Sequence, residues 1–110
     1  MKHVKEGNVM IIVHVTYKMK PGTKEAYIKE VVDAKIEQGA RKDPGNLAYE
    51  NYYSAFRDDE VILFEMWEDQ ASLTAHQTTP HNIALQDIKA KYVLDTKIRQ
   101  FNCEEAEFKK

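Results

Sequence analysis

Cysteine is almost missing from this chain: its 110 residues include one, Cys103. A lone thiol makes no internal disulfide and no multi-thiolate metal site. Glycine is scarce, with four residues, and none of them forms a glycine-rich phosphate loop or a dinucleotide-binding fingerprint. No charge of one sign dominates: 16 basic residues face 18 acidic ones, for a net charge of −2. That balance leaves no basic face, so nucleic acid is not an expected partner. Long apolar runs are absent as well. The longest, residues 61–66, already contains Glu65, and a membrane span needs roughly 18 apolar residues. The start, Met1-Lys2-His3-Val4-Lys5, lacks the apolar stretch of a secretory signal. The expectation is a soluble, cytoplasmic protein.

What is present points to one globular domain over residues 1–110. Hydrophobic residues make up 43% of the chain, too many for a disordered one. Residues 10–18 are β-branched and short, which predicts a strand that Pro21-Gly22 ends. Thr23 reads as the N-cap of a helix. The positions Ile28, Val31, Val32 and Ile36 then predict one apolar helical face, and Gly39 on that face permits a close approach. Asp43-Pro44-Gly45 is a turn by composition. Strands are predicted over 47–56 and 61–67, joined by the polar segment 57–60. Asp69 caps a short helix. Thr79-Pro80 starts a second one, whose Ala84, Leu85 and Ile88 face the core. A last strand covers 93–101, giving a core of about 9–101 and a charged tail over 102–110.

The order β-α-β-β-α-β is the ferredoxin-like arrangement, an α+β fold with a four-stranded antiparallel sheet and helices on one side. The third strand is apolar on both faces, with Val61, Leu63 and Trp67 on one and Ile62, Phe64 and Met66 on the other. Helices cover one face, so a second copy of the chain is expected on the other, as a two-fold homodimer.

Glu65 is a carboxylate within that apolar strand, and a buried charge must be paired, hydrogen-bonded or neutralised. Trp67, two residues on, shares its face. His76 aligns with Leu73 on its helix, and His81 opens the next one. Both histidines are candidates for proton transfer near neutral pH. A metal site needs a third ligand, for which Glu65 is the neighbour in view. The spacing fits no common zinc motif, so no metal is expected. Tyr49 and Asn51 share a face of the second strand, and Glu50 and Tyr52 share the other. Either pair suits a pocket wall. His14 reads as a core or interface histidine. Cys103 has no base near it in sequence and is a weak nucleophile candidate.

Glu65-Met66-Trp67-Glu68-Asp69, followed by Ala75-His76-Gln77-Thr78-Thr79-Pro80-His81, resembles the antibiotic biosynthesis monooxygenase family. The resemblance spans about 10–101 and includes the Pro21-Gly22 and Gly45-Asn46 turns. It implies a ferredoxin-like fold, a dimeric α/β barrel formed through the sheets, and a pocket between sheet and helices. It also implies oxidation of a quinol-like or phenolic small molecule by oxygen, without a bound cofactor. On that reading His76, Glu65 and Trp67 are catalytic, with Trp67 as the aromatic wall, and Tyr49, Asn51 and His81 contact substrate. The aromatic-polyketide members carry an Asn where this chain has Leu63 and a Tyr where it has Leu73. The His-x-Thr-Thr-Pro-His form is similar to an isomerase of a phosphorylated signal molecule, whose first-helix His corresponds to Glu37 here. A phosphate would want Arg or Lys in the pocket, and these segments supply none. Haem-degrading relatives share the Trp and helix His, but their strand-one Asn is Val15 here. The alternatives are thus a small-carbonyl isomerase, a non-enzymatic ligand-binding module and a haem-degrading enzyme.

Overall fold

The computed structural model describes residues 9–110. Chain order is β1 (Met10–Met19), α1 (Lys24–Asp33), α2 (Ile36–Arg41), β2 (Asn46–Tyr53), β3 (Glu60–Trp67), α3 (Gln70–Gln77), α4 (Pro80–Tyr92) and β4 (Val93–Cys103). The strands form one sheet in the order β2-β3-β1-β4, and every pairing is antiparallel. This is the expected ferredoxin-like α+β fold. No helix among the described residues is long and apolar enough to cross a membrane.

Period-2 alternation sets the sheet's two faces. Val13, Val15 and Tyr17 of β1 are buried, as are Val61, Leu63 and Trp67 of β3. They meet Val31, Leu73, Leu85 and Ile88 from the helices to make the core. The register pairs Val15 with Leu63 and Val13 with Glu65, so the carboxylate enters the helix-covered face among apolar neighbours. Ile12, Ile62, Phe64 and Met66 lie on the opposite face and are only half-buried. Neighbouring β4 adds Phe101, 40% exposed, opposite Ile12.

Local expectations are corrected at four points. The first helix is not continuous, because Lys35 takes a left-handed backbone with φ of 56°. The break re-aims the chain, so Val31 and Ile36 are buried while Val32 stays 64% exposed. Tyr27, not part of the predicted stripe, fills the core beside Val31. Thr23 occupies the N-cap position but gives no side-chain cap. Its hydroxyl instead donates back to the Lys20 carbonyl at 2.6 Å. The ladder also outruns the expected strand end: Asn102 and Cys103 pair with Ile11 and Met10. β2 stops at Tyr53 and leaves Phe56 exposed in the loop.

The other helix starts follow the sequence. Asp69 accepts a hydrogen bond from the Ser72 amide at 2.8 Å, and Thr79 accepts one from the Asn82 amide at 3.4 Å, with Pro80 in the first turn. These caps fix where α3 and α4 begin, and hence which way His76 and His81 point.

Candidate active site

The site grows out of the turn between α2 and β2. Gly45 has a φ of +81°, and a Cβ there would come within 2.0 Å of Ser72 Oγ. The turn can therefore press against the start of α3 only because this residue has no side chain. The Gly45 carbonyl also accepts from the Glu68 amide at 2.8 Å, tying the turn to the end of β3. This attachment brings Asp43 under α3.

Asp43 Oδ2 lies 2.6 Å from His76 Nδ1 and 2.8 Å from His81 Nε2. A carboxylate oxygen only accepts, so both ring nitrogens donate to it. His76 is then the Nδ1–H tautomer, and its Nε2 keeps a free lone pair. His81 reaches the same oxygen because α2 carries glycine at 39. A Cβ at Gly39 would meet the His81 ring at 2.8 Å.

On the other side of His76, Nε2 is 4.0 Å from Glu65 Oε1. Trp67 Nε1 donates to that same Oε1 at 3.1 Å. The Trp67 ring lies against the His76 ring with centroids 4.7 Å apart, and the Tyr49 ring is 5.8 Å away. Asp43, Trp67, Tyr49 and His81 thus hold the imidazole from four sides.

Burial sets the protonation states. Glu65 is pushed up to about 7, chiefly by burial, while the Trp67 hydrogen bond and the Lys89 charge hold it back. His76 is lowered, first by burial and then by the His81 ring, against the upward pull of Asp43. Burial raises Tyr49 and Tyr17 far above the ordinary phenol value, so both hydroxyls stay protonated.

A cavity of about 170 Å³ opens between the sheet and the α3–α4 pair, lined by Tyr17, Tyr49, Glu65, His76 and Lys89 among others. The structure brings Glu65, His76 and Tyr49 together there. Trp67 is fully buried behind Glu65 and His76 and does not border the cavity, which corrects its expected place as an aromatic wall. His81 also stands outside, beyond Asp43. Asn51 lies in a separate hollow with Ile28 and Tyr53, where its backbone N–H and side-chain Nδ2 donate to Glu37 Oε2 at 2.9 and 2.8 Å. Glu37 is in that hollow too, also away from the cavity. His14 faces the open side of the sheet beside Tyr52 and Phe64.

Two residues of the site escaped the sequence reading. Asp43 sits in an Asp-Pro-Gly segment that composition explains as a turn, 33 residues from His76. Two neighbouring histidines in need of an acceptor were the available signal. Lys89 supplies the cation that the motif segments lack. It follows Asn82 and Gln86 on one stripe of α4, with helical spacing.

Asp43, His76 and His81 also offer three donor atoms within 4.8 Å of one another, and Asp43 rather than Glu65 is the third member. Tetrahedral ligands about 2.1 Å from a metal stand about 3.4 Å apart. The Asp43 oxygen is closer than that to both nitrogens, at 2.6 and 2.8 Å. These are hydrogen-bond distances, and the group fits a hydrogen-bonded network better than a metal cage.

A model of the antibiotic biosynthesis monooxygenase family matches residues 10–87. An uncharacterized protein of Synechocystis is 31% identical over 78 residues, 71% of this chain and 52% of its own length. The chain thus spans about half of that relative. YcnE of Bacillus subtilis, provisionally named a monooxygenase, is 26% identical over 72 residues, 66% of this chain and 74% of its own. Among solved structures, a Nitrosomonas europaea protein superposes with a TM-score of 0.79 at 21% identity, covering 91% of this chain and 95% of that one. A Deinococcus radiodurans protein gives 0.79 at 21%, covering 91% and 98%. Both are described provisionally as antibiotic biosynthesis monooxygenases, and at these identities the likeness speaks for the fold.

The charge state of Glu65 yields a stability prediction. Its folded value of about 7 lies above the ordinary 4.5, so the folded state binds more protons than the unfolded one between these values. Wild-type stability from this group is therefore lost as pH rises through that window. Glu65→Gln keeps the acceptor for Trp67 without the charge. Urea unfolding should show the variant no more stable than wild type near pH 4.5. By pH 8 it should gain on the order of 3 kcal/mol relative to wild type. A difference that does not change with pH would contradict the assigned burial of the charge.

Proposed function

Since the chain belongs to the antibiotic biosynthesis monooxygenase family, we propose that it is a monooxygenase that oxidises a quinol-like or phenolic small molecule with O₂, using no cofactor. The observation that carries this reading is the paired arrangement at the cavity: a His76 nitrogen freed by Asp43, with Glu65 4.0 Å from it. One hydroxyl oxygen placed about 2.8 Å from each closes that triangle. The hydroxyl donates to His76 Nε2 and accepts from Glu65 when Glu65 is protonated. Proton transfer to Nε2 leaves a phenolate, whose ring becomes electron-rich. The Asp43 carboxylate stabilises the imidazolium that forms, and Glu65 holds the phenolate oxygen.

The substrate is the reductant in this scheme. For a methylene activated by the phenolate, the balance is CH₂ + O₂ → C=O + H₂O. The carbon gives up four electrons and gains one oxygen atom; the other oxygen leaves as water. Val13, Val15, Leu63 and Leu85 give the cavity an apolar wall for the ring of the substrate. Trp67 acts as a positioning residue, through its hydrogen bond to Glu65 and its packing on His76. His81 acts likewise, through Asp43.

Activity requires neutral His76 and protonated Glu65. It should rise through a value below 6.5, set by His76, and fall through about 7, set by Glu65. Oxygen uptake against quinols, anthrone-like phenols and catechols, with chelator present, tests this. His76→Ala should reduce turnover by about 10²-fold or more. Glu65→Gln should retain activity and remove the alkaline fall. Unchanged turnover in His76→Ala would end the proposal.

A second reading, an isomerase of a small carbonyl compound, draws on the same pair, since His76 and Glu65 both reach one substrate atom and are suited to moving a proton between sites. It consumes no oxygen, so turnover without uptake would select it.

The partner proposal is a second copy on the open sheet face. Ile12, Ile62, Phe64 and Met66 are half-buried there, and β4 leaves Phe101 40% exposed beside them. A contiguous apolar face of this kind suits a self-complementary two-fold contact. Light scattering should give twice the 12.8 kDa chain mass. Phe64→Glu should halve it while the melting transition persists. A wild-type monomer at micromolar concentration would contradict the contact.

A further inference from the structure

The cavity contains a cation that the proton chemistry does not use. Lys89, on α4, borders it, with its Nζ 4.9 Å from the Tyr17 ring centroid. Among the described residues, no carboxylate comes within ion-pair distance of that nitrogen. Its surroundings are half-buried, and taking an ammonium from water without a counter-charge is costly. Burial lowers Lys89 while the Glu65 charge pulls the other way. The Tyr17 ring face offsets part of the cost, since it attracts cations. A full counter-charge is missing.

The polar lining around Lys89 narrows what can supply it. The Asn82 side-chain amide is engaged with the Gln77 carbonyl at 3.0 Å, and that of Gln100 with Gln70 at 2.8 Å. Gln86 lies one turn before Lys89 and also borders the cavity. A ligand therefore meets one cation, with the Gln86 carboxamide close by on the same helix and that of Gln77 also on the lining. That set balances a single negative charge. A phosphate dianion would carry charge in excess and ordinarily draws arginine forks or several amides. A cavity of about 170 Å³ is also small: one of roughly 150 Å³ accepts benzene.

We propose that the substrate is a single-ring hydroxyaromatic carboxylate, its hydroxyl directed to His76 and Glu65 and its carboxylate held by Lys89, with Gln86 as second donor. The hydroxyl end rests on the oxidation reading above; the carboxylate end does not, because binding needs no turnover.

The test is a ¹⁵N–¹H NMR titration of the full chain with three probes at one ionic strength: phenol, 4-hydroxybenzoate and phenyl phosphate. 4-Hydroxybenzoate should perturb the cavity amides and bind about tenfold or more tightly than phenol. Lys89→Met should bring it down to the level of phenol measured with the same variant, while Lys89→Arg keeps the preference. Equal affinity for phenol and 4-hydroxybenzoate in wild type would overturn the proposal. So would a preference that survives Lys89→Met, or no binding of 4-hydroxybenzoate at the cavity. Tighter binding of phenyl phosphate would replace the carboxylate with a phosphate. Should 4-hydroxybenzoate bind as expected while no phenol drives oxygen uptake, the oxidation reading fails and the carboxylate subsite at Lys89 stands.

Discussion

One carboxylate oxygen, Asp43 Oδ2, receives hydrogen bonds from two imidazoles on two different helices. It sits in the α2–β2 turn, which Gly45 lets press on the start of α3. The bonds join that turn to the end of α3 and the beginning of α4. A nearly buried charge needs such partners, since burying it alone would cost several kcal/mol. The same bonds that satisfy Asp43 choose the tautomer of His76, so stability and chemistry share one constraint. Gly39 belongs to it as well, because any side chain there would push the His81 ring from its place.

The cavity then works by a division of charge. On the Asp43 side of His76 lies a fixed carboxylate, screened from the cavity by the ring itself. On the other side lies Glu65, raised to about 7 by its burial in the sheet. A base and an acid with different environments stand 4.0 Å apart, the usual way for a small pocket to separate proton roles near neutral pH. Trp67 tempers the acid through its indole N–H and packs the base in position without bordering the cavity. The sheet makes this possible: residues 65 and 67 point the same way because strand side chains alternate.

Much of this was legible in the sequence, for physical reasons. The alternation along β1 and β3 assigns strand and face together, so the common face of Glu65 and Trp67 followed directly. Asp69 and Thr79-Pro80 carry their capping chemistry in their side chains, and the helix starts came with them. Leu73 and His76 are three apart on a helix, which put the histidine on the inner face. Other features depend on contacts that no local pattern encodes. Asp43 looks like a turn residue whatever lies 33 positions away. Lys89 belongs to a polar stripe that composition would leave in water. The left-handed Lys35 has no glycine to announce it, and it is what separates Val32 from Ile36. Asn51 shares a face with Tyr49, yet it turns to Glu37, because β2 is an edge strand and its far end lies beside α2 instead of α3.

The role of His76 as a base turns on its tautomer. A long-range ¹H–¹⁵N correlation spectrum of the imidazole side chains at pH 7.5, assigned with His76→Gln and His81→Gln, reads it directly. The predicted result is a protonated Nδ1 and a bare Nε2 for His76, with a protonated Nε2 for His81. A His76 ring protonated at Nε2 would leave no free nitrogen facing Glu65 and would contradict the assignment of His76 as the base.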